Sequence, residues 1–413
     1  MTGTFFATCC FLAVASSALA QSSDWPTWRG PKHDGLADSN QDPPIEFGKT
    51  KNVLWQANIP GRGHGSVIVV GDRVVLATAD EAKEAQIVLC YDRKTGKQRW
   101  ATMINEGGFP KINKKASHAS STLACDGERF FISFVNHGAA HTTALDLEGK
   151  KLWQTKLTDY IVHQGYGSSP AVYKSLVIVS ADTKAGGAIC GLERRTGDIK
   201  WRVERPTKPN YPSPVIHTIN GKDQLFMTGC NRVTCLDPMT GVTLWETDGA
   251  TTECVTSVVT DGKHVFTSGG YPKNHVSAIL ADGSGELVWE NPSRVYVPSM
   301  LVSEGHLYAV MDAGVVVCWK AGTGERLWRE RLSGTFSASP VLVGDRMYAG
   351  DETGTYHILK VSPKGCEVTA KNLLGDQIFA TPAICGGQIF ARVVEMDEND
   401  FRQEKLYCFT KKD

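Results

Sequence analysis

One position that recurs eight times in this chain carries side chains that can bind a ligand. Counting two residues back from the residue that opens each repeat unit gives His64, His118, Tyr166, Tyr211, Cys254, Tyr296, Phe336 and Phe379. Imidazole, phenol and phenyl rings stack on flat ligands, and imidazole nitrogens also bind metals. The pattern predicts an aromatic binding site or, in a plainer interpretation, side chains that plug a channel by packing on each other.

Metal binding is the weaker hypothesis for this position. His64 and His118 lie in successive units and could share an ion, but protein metal sites usually need three or four ligands. Glu253 could add one carboxylate. The sequence has no glycine-rich phosphate loop, nucleophile elbow or zinc-binding helix motif, so we expect no metal site and assign no catalytic residue. The candidate binding residues are His64, His118, Tyr166, Tyr211, Glu253 and Tyr296.

Regularly spaced tryptophans indicate the elements that must position these residues. They are Trp55, Trp100, Trp153, Trp201, Trp245, Trp289 and Trp328. Their spacing of about 40–50 residues is typical of propellers and other repeat architectures. From Trp100 onward each stands four residues after a glycine, which permits a tight turn on which an indole can pack. Thr369 stands where the seventh unit lacks its tryptophan, and this predicts a weaker contact there.

Each unit is predicted to contain four short antiparallel strands separated by turns. Eight units open at Ser66, Ser120, Ser168, Ser213, Thr256, Pro298, Ala338 and Thr381. The last unit is about one strand short, whereas residues 51–59 carry a fourth-strand pattern around Trp55. The sequence therefore predicts an all-β, eight-bladed β-propeller over residues 51–413, closed by the N-terminal strand so that no sheet edge is left free.

The N-terminal residues indicate export. Residues 1–20 contain an apolar run and a small-residue cleavage pattern ending at Ala20, as in a secretory signal peptide, although a buried apolar N-terminus is the alternative. Residues 21–50 form an N-terminal extension before the propeller. We expect a periplasmic or extracellular monomer with no transmembrane segment. The formal net charge of zero argues against a nucleic-acid partner.

The cysteines are expected to be buried thiols. Five occupy one position of the third strand: Cys90, Cys190, Cys235, Cys318 and Cys408. Equivalent positions in separate blades are too far apart for a disulfide, which needs Cα atoms within about 7 Å. Cys230 and Cys235 form the one local pair that could be oxidised.

The units resemble the pyrroloquinoline-quinone (PQQ) repeat. Residues 90–100, 144–153 and 235–245 match its tryptophan-docking motif, and the resemblance extends over residues 51–413. The segments 24–31, 296–299 and 336–340 resemble exported single-domain PQQ-like proteins of planctomycetes. This fold is shared by quinoprotein alcohol and glucose dehydrogenases and by BamB-type scaffolds, so the fold does not decide between enzyme and scaffold.

Three functions follow from this resemblance and from the aromatic position. The first is an exported, non-catalytic binding or scaffolding propeller that holds a protein partner, or a small aromatic or sugar ligand, at its funnel face. The second is a PQQ-dependent oxidoreductase of alcohols or sugars, with PQQ and calcium as cofactors. The third is a carbohydrate-binding propeller. The chain after residue 20 has no adjacent cysteine pair and no recognisable calcium-binding set, so the first is favoured and no cofactor is assigned.

Overall fold

The computed structural model describes residues 24–412, so the predicted signal peptide lies outside the described residues. Over this range the chain is all-β and forms eight four-stranded antiparallel sheets around a central channel. The predicted eight-bladed propeller is confirmed. Within residues 24–412 no helix is long and apolar enough to cross a membrane.

The strands of each blade follow one another from the channel outward. Blades 1 to 4 consist of Ile68–Val70, Arg73–Asp80, Ala85–Asp92 and Gln98–Glu106; Ala124–Cys125, Arg129–Asn136, Ala139–Asp146 and Lys151–Asp159; Ala171–Tyr173, Leu176–Ala181, Gly187–Glu193 and Ile199–Arg205; and Val215–Ile219, Lys222–Gly229, Arg232–Leu236 and Thr243–Asp248. Blades 5 to 8 consist of Val259–Thr260, His264–Gly269, His275–Leu280 and Leu287–Asn291; Leu301–Ser303, His306–Val310, Val315–Lys320 and Arg326–Arg331; Val341–Val343, Arg346–Gly350, Thr355–Ser362 and Gly365–Leu373; and Ala383–Cys385, Gln388–Met396, Arg402–Phe409 and Val53–Ile59.

The N-terminal strand closes the ring, as predicted. Val53–Ile59 pairs antiparallel with Arg402–Phe409 and so supplies the outer strand of blade 8. A buried ion pair within blade 8 also contacts blade 1: the Arg392 guanidinium lies 2.5 Å from the Glu404 carboxylate and donates to the carbonyl oxygen of Ala77 in blade 1. Closure therefore combines backbone pairing with a buried, fully hydrogen-bonded charge.

The tryptophans join neighbouring blades. The indole N–H of Trp55 in blade 8 donates to the Arg93 carbonyl of blade 1 at 2.8 Å. Gly96 has a φ of +68°, and a Cβ there would lie 2.6 Å from the Trp55 ring. Glycine is therefore required both by the backbone conformation and by the close approach of the ring. The predicted packing role of the tryptophans is confirmed.

Blade 7 differs from the other blades at this contact. The strand register places Ala370, rather than the predicted Thr369, at the tryptophan position, because Thr369 is the bulged residue of that strand. The N-terminal extension covers this position of blade 7. Phe47 is buried against Phe409 of blade 8 at 4.7 Å, and the backbone N–H of Phe47 donates to Asn372 of blade 7. The expected gap in the packing is therefore filled by residues from outside the repeats.

Residues 24–37 cross the end of the channel where the innermost strands finish, and we call this segment the plug. Trp25 pairs with Val69 of blade 1, and the Pro26 carbonyl accepts from the backbone of blade 2. Arg29 donates to the Met300 carbonyl of blade 6, and Leu36–Ala37 adds a parallel strand to blade 7. The plug therefore contacts blades 1, 2, 6 and 7. Its buried residues could not be recognised as part of the core from the repeat pattern alone.

All ten cysteines in the described residues are free thiols. Nine are buried and Cys366 is partly exposed. Cys230 does not pair with Cys235: its sulfur accepts from the Asn210 amide, whereas the Cys235 thiol lies against Gln224. Burial raises the pKa of the Cys235 thiol to about 12, which leaves it protonated and unreactive at neutral pH.

Candidate functional site

A cavity of about 440 Å³ opens at the end of the channel opposite the plug, and we call it the funnel. Its walls come from the residues that precede the innermost strands, and its floor includes Trp28 from the plug. Because Trp28 reaches the cavity from the sealed end, the funnel is a blind cavity rather than a pore. Its size falls within the range of small-molecule sites in proteins.

A belt of hydroxyl groups holds the innermost strands together just below the funnel. In seven successive steps, the backbone N–H of a residue in one blade donates to the side-chain hydroxyl of its equivalent in the next, over 2.9–3.2 Å. The belt residues are Ser66, Thr122, Ser169, Ser213, Ser257, Ser299, Ser339 and Thr381. The belt fixes the register of all eight blades.

This register corrects the predicted eight-fold position. In five blades the predicted opening residue stands one or two positions before the belt residue, because runs such as Ser120–Ser121–Thr122 offer several hydroxyls to choose from. The equivalent residues two before the belt are His64, Ser120, Gly167, Tyr211, Val255, Val297, Ser337 and Phe379, and all eight line the funnel. The position is therefore mixed in character rather than aromatic throughout.

The structure brings together four of the six candidate binding residues. His64, Tyr166, Tyr211 and Tyr296 line the funnel. Cys254 and Phe336, which belonged to the predicted aromatic position, are instead fully buried in the blades.

His118 and Glu253 do not line the funnel, and each has a partner of its own. His118 stacks on Phe109 with ring centroids 4.0 Å apart, in a smaller pocket beneath the loop between blades 1 and 2. The Glu253 carboxylate lies 3.2 Å from the Nε2 atom of His163. A metal shared by His64 and His118 gains no support, since among residues 24–412 no group of three or more His, Cys, Asp or Glu side chains could hold an ion.

The funnel walls carry little charge. Of the residues that line it within the described chain, Lys115 is the one with an ionic side chain, and its ammonium group lies 2.8 Å from the Glu352 carboxylate. Burial, together with the nearby cations Arg62, Arg402 and Arg392, holds the pKa of His64 well below its ordinary value of 6.5. The imidazole is therefore neutral at pH 7 and offers one donor and one acceptor.

A loop over residues 107–118 leans across the funnel mouth, and sequence reasoning did not find its contacts. Asn113 donates from its amide to Gln164 of the next loop at 2.7 Å. Lys115 reaches Glu352 in blade 7, although the loop leaves from blade 1. Lys111, Lys114 and Lys115 mark this loop in the sequence. The partner of Lys115 across the funnel, Glu352, could be identified only from the three-dimensional structure of the ring.

The funnel residues do not fit calcium and PQQ, the cofactors that the resemblance implies for an enzyme. Calcium takes oxygen ligands, mainly carboxylates and carbonyls, and no Asp or Glu in the described chain lines the cavity. PQQ is a planar quinone that carries carboxylates, and the single lining cation, Lys115, is already paired with Glu352. The aromatic rings could stack on such a ligand, but its charges would remain unpaired.

Comparison with known proteins places the fold in a family. A family model described as outer membrane protein assembly factor BamB matches residues 83–292 and 272–365. The outer membrane protein assembly factor BamB of Burkholderia pseudomallei (strain K96243) is 27% identical over 366 residues, which cover 84% of this chain and 87% of that protein.

Solved structures agree on the architecture. BamB from Moraxella catarrhalis superposes with a TM-score of 0.62 and 16% identity, covering 87% of this chain and 97% of that chain. A europium-containing methanol dehydrogenase superposes with a TM-score of 0.70 and 12% identity, covering 94% of this chain and 98% of that one. At such low identity these likenesses show the propeller fold alone. The match of the family model over most of the propeller shows more: this chain is a PQQ-like β-propeller that belongs to the family of the outer membrane protein assembly factor BamB.

Proposed function

We propose that this protein is an exported, non-catalytic binding or scaffolding propeller that works through its funnel face. The observation that carries this proposal is the funnel lining, which among residues 24–412 offers hydroxyls, amides and aromatic rings but no carboxylate and no unpaired charge. Such a lining can bind a ligand, but it lacks the carboxylates that would hold calcium.

Exposed apolar side chains around the funnel support a protein partner on this face. Ile161, Tyr271, Leu373 and Phe401 lie on its loops or strand ends and are 55–70% exposed. These four side chains offer apolar surface to a partner bound over the cavity. The BamB relatives are named for outer membrane protein assembly, which supports both export and a partner protein.

Photo-crosslinking from matched positions tests the binding face. A benzoylphenylalanine replaces Ile161 on the funnel face or Val242 on the opposite face, which are 57% and 61% exposed. In cells of the native host we expect a discrete adduct from position 161 and none from 242. Equal adducts from both, or adducts only from 242, would contradict the proposed face. Mass spectrometry of the purified chain should also find Gln21 as its first residue.

The PQQ-dependent oxidoreductase stays as the second candidate because the methanol dehydrogenase shares the fold. Calorimetric titration of the full chain with PQQ, with and without calcium, separates the two. We expect no stoichiometric binding and no dye-linked oxidation of alcohols or sugars. Calcium-dependent binding with activity, both lost in Tyr296→Ala, would overturn the non-catalytic proposal.

A further inference from the structure

The geometry points to a ligand class for the funnel: a neutral, polyhydroxylated molecule such as the end of an oligosaccharide chain. This inference rests on the proposed binding role of the funnel face and extends it to the chemistry of the cavity. Three independent properties of the lining support it, namely its charge, its aromatic surfaces and its hydroxyl and amide groups.

The charge of the lining favours a neutral ligand. Glu352 accepts from both the Lys115 ammonium at 2.8 Å and the Ser337 hydroxyl at 2.6 Å, so the one lining cation is neutralised within the protein. His64 is uncharged at neutral pH, as described above. An ionic ligand would lose its hydration in this cavity without gaining a counter-charge, which is costly, whereas a neutral ligand loses only hydrogen bonds that the walls can replace.

The aromatic surfaces suit the C–H faces of sugar rings. His64 and Phe379 stack on each other with centroids 4.4 Å apart and an interplanar angle of 20°. Tyr296 lies on another wall, and Trp28 forms part of the floor. Aromatic rings give a rigid apolar surface with polar edges, which matches a ligand that alternates apolar faces with hydroxyl edges.

Hydroxyl and amide groups of the lining indicate where ligand hydroxyls would bind. Ser337 supplies a hydroxyl, and Asn113 and Gln164 supply side-chain amides. A hydroxyl both donates and accepts, and an amide offers an NH₂ donor and a carbonyl acceptor. A ligand hydroxyl can therefore bind to either group.

The same lining argues for binding rather than hydrolysis of such a ligand. Glycoside hydrolases use two carboxyl groups on either side of the scissile bond. No carboxylate of residues 24–412 lines the funnel, and Glu352 at its edge is held by Lys115 and Ser337. A bound sugar would therefore be recognised and released intact.

Calorimetry on the full chain tests the ligand class. The probes are maltohexaose, cellohexaose and laminarihexaose, with hexagalacturonate as the charged comparison. We expect at least one neutral oligosaccharide to bind and hexagalacturonate to bind at least about tenfold more weakly, a difference of about 1.4 kcal/mol. Absence of neutral binding up to about 10 mM, or tighter binding of the charged oligomer, would overturn the inference.

Three variants then locate the site. Tyr296→Ala and Tyr211→Ala each remove an aromatic ring from the lining, and each should weaken the neutral oligosaccharide about tenfold. Val242→Ala removes an exposed apolar side chain on the opposite face and should leave the affinity unchanged. Unchanged affinity in both tyrosine variants, with their melting temperatures intact, would contradict binding in the funnel. If no oligosaccharide binds while position 161 still forms a crosslinked adduct, the proposed ligand class is wrong and the proposed binding face remains supported.

Discussion

The two ends of the central channel are built from residues with opposite tasks. At the plug end, Trp25, Arg29 and His33 are almost completely buried and contact several blades. At the funnel end, Tyr211, Tyr296 and Trp28 keep part of their surface open to a cavity. A propeller can therefore use aromatic residues as a seal at one end and as a binding surface at the other. The burial of their side chains distinguishes the sealing residues from the binding residues.

The largest expected effect separates two tryptophans of the same segment. Trp25 is 1% exposed, and its replacement by alanine should lower the free energy of unfolding by about 3–5 kcal/mol. Trp28 is partly exposed in the funnel, so Trp28→Ala should cost far less stability and instead weaken oligosaccharide binding. Urea denaturation and calorimetry measure the two quantities. Equal losses of stability in the two variants would contradict the assignment of Trp25 to the seal and of Trp28 to the binding surface.

The plug end should also contribute to the pH dependence of stability. Burial lowers the pKa of His33 and of His217, which lies close to Arg29 and His33, from 6.5 to about 4. Below pH 6.5 the unfolded chain binds these protons and the folded chain does not, so stability falls as the pH decreases toward 4. At pH 5.5 each histidine should cost about 1.4 kcal/mol relative to pH 8.

The double variant His33→Gln, His217→Gln isolates this contribution. Its stability should fall less steeply between pH 8 and 5.5 than that of the wild type, by about 3 kcal/mol in total. Other buried histidines remain in both proteins and cancel in the comparison. Identical slopes in the two proteins would show that neither His33 nor His217 is held neutral by burial.

The hydroxyl belt lies between the two ends and should contribute an intermediate effect. Ser213→Ala leaves the buried N–H of Ser169 without its partner and should cost about 1–3 kcal/mol. Ser39→Ala, at an exposed residue of the extension, is the control and should change stability by less than about 0.5 kcal/mol. A belt variant as stable as the control would mean that water replaces the lost hydroxyl.

The smallest effect on stability is expected at the funnel mouth. Lys115 is 70% exposed, so Lys115→Met should change the free energy of unfolding by less than about 1 kcal/mol. The loop over residues 107–118 loses its tether to Glu352, and trypsin should then cut after Lys111 or Lys114 several-fold faster. An unchanged cleavage rate would show that the Asn113–Gln164 contact alone holds the loop.

The sequence predicted the parts of this molecule that repeat. The tryptophan spacing and the turn glycines recur because each blade needs the same interlocking contact, and they led to eight blades closed by residues 51–59. The features without a repeat could not be inferred in this way. The plug residues Trp25 and Arg29 stand outside any unit, and Phe47 fills a gap that the strand register places at Ala370.

The residues of the funnel were also predictable only where the repeat pattern was unambiguous. His64, Tyr211 and Phe379 were placed correctly because their units contain one clear opening hydroxyl. His118 was misplaced because three hydroxyl residues in succession, 120–122, left the register open until the belt defined it. The floor residue Trp28 and the bridge from Lys115 to Glu352 join segments far apart in the chain, and only the closed ring brings them together.

Hydrogen exchange of the full chain, read by mass spectrometry, tests most directly whether one end is a seal and the other an open binding surface. The measurement compares the plug, residues 24–37, with the funnel loop, residues 107–118. We expect the plug to exchange as slowly as the innermost strands and the loop to exchange quickly. A plug that exchanges as fast as the loop would show that it detaches and that the channel is open at both ends.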